Sequence, residues 1–241
     1  MIALLRSEIA KLRGSLILLL VLVPPLLPGL LIFLAVATNE GAPSWAQLIG
    51  QLTMPLWAMF LNAMLLATLA TLMGQVEYRT NGWAFVLVQP VPRWQVFVTK
   101  LMILVVLHVA MIAMCILGAI VSALAAGYAF DRVPTGDTPL RPALDFVLAM
   151  TGGSFAILVL QLWAALRWNN FTVPLAMGIG GTLVGLAVLI AGTEQADWFP
   201  WVLALKAGVA DSPRWFITTG LVAGIVAAVA MVLDFQRHTF R

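Results

Sequence analysis

The charges of this chain sit in tight clusters, and between them run six stretches without a single Asp, Glu, Lys or Arg: residues 14–39, 41–76, 101–130, 146–166, 168–193 and 215–233. A helix rises about 1.5 Å per residue, so about 20 residues cross the roughly 30 Å of hydrocarbon in a bilayer. Each stretch reaches that length. Inside lipid every backbone N–H and C=O needs a partner within the protein, which leaves helices and closed barrels as the spanning forms. Barrel strands alternate apolar and polar residues, whereas these runs are continuous and rich in Leu and Ala. Composition agrees: 62% of residues are hydrophobic and 10% charged, against about 25% charged in a typical soluble domain. A chain of this size has too little interior to hide so many apolar side chains from water. The expected fold is an all-α integral membrane protein, one transmembrane domain with six helices near residues 15–37, 52–74, 100–127, 146–166, 171–192 and 215–234.

The net charge of +3 reads as membrane topology and not as a nucleic-acid surface. With both termini on one side, that side holds Arg6, Lys11, Arg13, Arg79, Arg93, Lys100, Arg167, Arg237 and Arg241, against Glu8, Glu77 and Asp234. The other side holds Arg132, Arg141, Lys206 and Arg214 against the remaining acids. The positive-inside rule then places both termini in the cytoplasm of a multi-pass membrane protein. Arg6, Lys11 and Arg13 ahead of a Leu-rich run ending in Ala35-Val36-Ala37 also resemble a cleavable signal. That run, however, is longer than a signal's apolar core of about 7 to 15 residues and carries Pro24, Pro25 and Pro28. Cys115 stands alone within the third span, so neither a disulfide framework nor a metal-type cysteine spacing exists.

Before the first span, Ile2, Leu5, Ile9 and Leu12 fall on one stripe flanked by Arg6 and Arg13, the pattern of an amphipathic helix over residues 1–13 lying in the interface. Pro24 and Pro25 remove backbone donors in mid-span, so a kink is expected there. It serves either packing or a transport site. Gly178, Gly181 and Gly185 in span 5, and Gly220 and Gly224 in span 6, form small-residue ridges for close helix approach, within one subunit or between two. The outer segment 198–210 is too apolar for a solvated loop and too short to span; it reads as a re-entrant element or an aromatic anchor. Residues 128–145, with Pro134, Gly136, Pro139 and Pro142, read as solvated turns.

The chain contains no G-x-x-x-x-G-K-[ST] segment, so any use of ATP requires a separate engine, and it has no H-E-x-x-H helix. It is not expected to be an enzyme. Ser154 follows two glycines without a convincing His to activate it. Asn62, His108 and Gln161 are the notable polar groups inside the spans, readable as a cargo path with Pro24 and Pro25 or as interhelical hydrogen bonds. The most informative segment lies at residues 77–93, between spans 2 and 3. Glu77, Tyr78 and Arg79 are followed by Trp83, Phe85 and Leu87, then by Pro90 and Arg93. Pro90 stops a short helix, and aromatics that each bury about 150 to 250 Å² call for a docking surface on another protein or for the membrane interface.

Leu5-Arg6-Ser7-Glu8 with Lys11-Leu12-Arg13, Glu77 followed by Asn81-Gly82-Trp83, Pro90-Val91-Pro92-Arg93 with Lys100, and Asp197-Trp198-Phe199-Pro200-Trp201 appear in this order in a six-span frame. Together they resemble the permease subunits of ABC-2-type ABC transporters, in particular the six-span family that includes lantibiotic-immunity permeases. The resemblance covers most of the chain. It implies a coupling helix within residues 77–88 that docks on a separate ATPase, an interfacial N-terminal helix, and a re-entrant element before span 6. It further implies two ATPases per complex, which carry ATP and Mg, and a second permease, identical or homologous. Arg79 and Arg93 are then candidate partners for Glu77 or for acids on the ATPase. The implied function is export of an amphipathic or hydrophobic compound, peptide antibiotics among the candidates. The alternative is a stand-alone ion-coupled carrier or channel built on His108 and the proline break.

Overall fold

The computed structural model describes residues 2–39, 41–79 and 92–237 of the chain. Helices make up the regular structure of these residues, and no strand occurs among them beyond an isolated bridge between Ser44 and Thr135. Five helices are long and apolar enough to cross a membrane: span 1 (Leu16–Thr38), span 2 (Ala46–Tyr78), span 3 (Arg93–Ala129), span 5 (Thr172–Ala191) and span 6 (Arg214–Gln236). Leu140–Gly153 and Phe155–Arg167 reach the length and apolarity of a span only as a pair, bent by 47° between them; the pair is labelled span 4 below. The chain is an all-α integral membrane protein.

Each departure from a straight helix has a local cause. Span 1 narrows to a 3₁₀ turn at Pro24–Leu26, where two consecutive prolines donate no hydrogen bond. Span 2 opens with wide π turns over Ala46–Thr53 and Trp57–Leu61, on either side of Pro55. The Thr53 hydroxyl donates to Leu48 O, five residues back, at 2.8 Å and supports that wider winding. Span 4 breaks at Ser154, immediately after Gly152-Gly153. Its first half starts at Leu140, inside the segment expected to be solvated turns.

Span 1 packs on span 3, and span 2 packs on span 5 and on the second half of span 4, while span 6 lies against both halves of span 4. The ten-residue helix Pro200–Val209 rises about 15 Å, half of a membrane crossing. Trp201 to Leu205 are all buried in it, among the first half of span 4, span 5 and span 6. The glycine ridges serve this packing within one chain. A β-carbon at Gly181 would overlap the Trp201 indole, and one at Gly220 would lie 2.8 Å from the carbonyls of Gly152 and Gly153.

At the end of the bundle far from the N-terminal helix, Arg132 Nη1 donates to Val36 O at 3.2 Å and Ala37 O at 3.0 Å, satisfying carbonyls freed at the end of span 1. Thr135 exchanges backbone hydrogen bonds with Pro43 and Trp45, each at 3.0 Å. The loop after span 3 is thereby fastened to the entry of span 2.

Candidate functional site

Four charged side chains meet at the base of the bundle, the end that carries the N-terminal helix Ile2–Leu12. Glu8 and Lys11 come from that helix, Glu77 from the last turn of span 2, and Lys100 from the second turn of span 3. Lys100 Nζ donates to Glu8 Oε2 at 2.5 Å and to Glu77 Oε1 at 2.8 Å. Lys11 Nζ donates to Glu8 Oε1 at 2.6 Å and to Glu77 Oε1 at 2.7 Å. Each lysine therefore bridges the same two carboxylates, and the ring closes with no net charge.

Glu77 and Lys100 are each 1% exposed and Glu8 6%, so none of the three has water to stabilise a charge left alone. Buried charges persist where they are paired and hydrogen-bonded, a condition this ring meets on every side. Burial alone would push the Lys11 ammonium down. Its hydrogen bonds to Glu77 and Glu8, with the fields of both carboxylates, outweigh that cost and hold its pKa above the ordinary lysine value.

The ring brackets the segment expected to dock a partner. Glu77 opens that segment at the end of span 2, and Lys100 follows it in span 3. Trp83, Phe85, Leu87 and Pro90 lie outside the described residues, and so does the side chain of Arg79. Tyr78 donates its hydroxyl to Leu166 O at 2.7 Å and fastens span 2 to the end of span 4. Arg93 is exposed at the start of span 3. Glu77 takes Lys11 and Lys100 as partners. On span 6, Asp234 accepts from Trp163 Nε1 at 2.9 Å and lies 3.4 Å from Arg167 Nε, closing the same end of span 4.

The residues considered for a cargo path separate into three places. Asn62 and His108 meet in the bundle interior: His108 Nε2 and Asn62 Oδ1 are 2.8 Å apart, and Asn62 Nδ2 donates to Ser154 Oγ at 2.8 Å. All three are buried, so this node ties spans 2 and 3 to the break in span 4. Gln161, with its amide oriented to satisfy both ends, donates to Pro174 O at 3.0 Å and accepts from Gly178 N at 3.1 Å in span 5. Pro24 and Pro25 sit where span 1 crosses span 3, next to Leu26, which reaches Gly118.

Glu8, Lys11 and Lys100 read from sequence as flanking charges, and their convergence was not visible there. An acid three residues before a lysine is ordinary on a surface helix; only packing turns that face inward. Ser154, dismissed as a nucleophile, is the hydrogen-bonding anchor of the span 4 break.

Searches among curated proteins and among solved structures returned no match. The family model for ABC-2 family transporter proteins matches residues 4–185, well over half of the chain, and takes in the N-terminal helix, the charge ring and spans 1 to 4. An ABC-2 permease is the membrane component of a transporter that works with an ABC ATPase subunit. By that match and by its multi-pass helical fold, this chain belongs to the ABC-2 family of transporter proteins as a membrane permease.

Proposed function

We propose that this permease exports an amphipathic or hydrophobic compound across a bacterial inner membrane, with both termini in the cytoplasm, and that lantibiotic-type peptides are within its cargo class. Of two ATPase subunits in the complex, which bind ATP and Mg, one docks on residues 77–93, and a second permease, identical or homologous, completes the pathway. Trp83, Phe85 and Leu87 supply the apolar contact, Pro90 ends the docking helix, and Tyr78, Arg79 and Arg93 flank it.

The observation that carries this reading is the charge ring. Glu77 and Lys100 stand at the two ends of the docking segment and are both held to Glu8 and Lys11. A push on that segment by a closing ATPase would therefore move the N-terminal helix together with spans 2 and 3. Breaking one partner of such a pair typically costs about 2 to 5 kcal/mol or more, so the connection resists parting under load.

The test is co-purification of a C-terminally tagged chain from its native membrane, combined with ATP-dependent transport in vesicles. Trp83→Ala is expected to lose the ATPase while still inserting. Glu77→Ala is expected to insert and to lose ATP-dependent transport. Normal transport in both variants, or recovery of the wild-type chain without an ATPase after crosslinking, would overturn the reading.

A further inference from the structure

The apolar stripe of the N-terminal helix packs into the protein only at its Leu12 end. Leu4, Glu8 and Leu12 are buried, while Ile9 is exposed and Leu5 only half covered. On this outer side the helix, the start of span 1 and span 3 enclose a groove of about 580 Å³. Its floor is Leu12 and Ile103, both buried, and its walls include Ile9, Leu18, Met102 and Val106, all exposed.

Arg13 is the charged residue on the rim of that groove. Gly14, in the left-handed region at φ 77°, turns the chain there from the N-terminal helix into span 1. Arg6 is exposed on the N-terminal helix and follows Leu5, which lines the groove. Both arginines are exposed, and neither pairs with an acid among the described residues. The nearby acid Glu8 is already committed to two lysines.

We infer that this groove is a binding site for one anionic phospholipid of the leaflet on the N-terminal side, with an acyl chain between the N-terminal helix and span 3 and the headgroup phosphate on Arg13 and Arg6. An apolar slot closed by a basic rim at the membrane surface is complementary to such a lipid at both ends. A second copy of the chain is a poorer occupant. A two-fold contact through this face would bring the Arg6 and Arg13 pairs of two subunits together, like charge on like charge. The site does not depend on the ATPase reading and is tested without ATP.

The experiment is native mass spectrometry of the full chain released from nanodiscs containing equal amounts of phosphatidylglycerol and phosphatidylcholine. The wild type is expected to retain one phosphatidylglycerol in preference to phosphatidylcholine. Arg6→Gln and Arg13→Gln are each expected to lower that preference about fivefold. Val106→Trp, placed on an exposed wall and so harmless to the core, is expected to displace both lipids. Equal retention of the two lipids by the wild type would overturn the proposal. So would unchanged retention in Val106→Trp and the double arginine variant, or a crosslink between cysteines placed at residue 106 of two copies.

Discussion

At the scale of single residues, the ring of Glu8, Lys11, Glu77 and Lys100 separates the consequence of losing charge from that of losing balance. Lys100→Met leaves two buried carboxylates sharing Lys11, an uncompensated charge in a site with almost no water. Breaking a buried pair in this way costs about 3 to 5 kcal/mol, whereas neutral replacements of both partners are often nearly harmless. Thermal unfolding in detergent is therefore expected to show a large drop for Lys100→Met and a smaller one for Lys100→Met combined with Glu77→Gln. Additive losses in that double-mutant cycle would mean that the two side chains do not interact. The residues of the ring were all present in the sequence as charges at span ends. Their mutual contact was not legible, because Lys100 and Glu8 are 92 positions apart and nothing local aims one at the other.

At the scale of elements, the breaks and close approaches decide how the helices fit. The prolines of span 1 announce their kink in any sequence, since a residue without an N–H cannot hold a helical turn. The bend of span 4 rests on Gly152-Gly153 and on Ser154, whose hydroxyl is held by Asn62 from another helix, so its position becomes clear only in the assembled bundle. Glycine ridges show the same division. The spacing of Gly178, Gly181 and Gly185 says that something approaches closely; the structure says that it is Ala67, Gln161 and the Trp201 indole. Gly181→Val would force that indole and the helix Pro200–Val209 outward, an overpacking cost of about 1 to 3 kcal/mol. Gly180→Val, whose β-carbon meets nothing within 4 Å, is expected to leave the melting temperature unchanged. A matching loss at both positions would remove the case for Trp201 as a packed anchor.

At the scale of the whole molecule, the unequal division of basic residues between the two ends predicts which end faces the cytoplasm. With Cys115→Ala as background, a membrane-impermeant thiol reagent applied to intact cells is expected to label Asp137→Cys and to spare Arg93→Cys until the cells are opened. Both positions are exposed in the fold. Labelling of residue 93 from outside would invert the topology and move the ATPase docking segment to the wrong compartment.

The sequence by itself determined the helical class and the membership in a transporter family. Hydrocarbon tolerates neither an unpaired backbone group nor a stray charge, so apolar run length and charge position are written directly into the chain. Tertiary structure alone decided which charges meet, what seats against each glycine, and that the apolar stripe of the N-terminal helix faces a groove at the membrane while its acid and lysine face the protein. Those outcomes depend on the relative rotation and depth of helices far apart in sequence. The periodicity of any one helix leaves both undetermined.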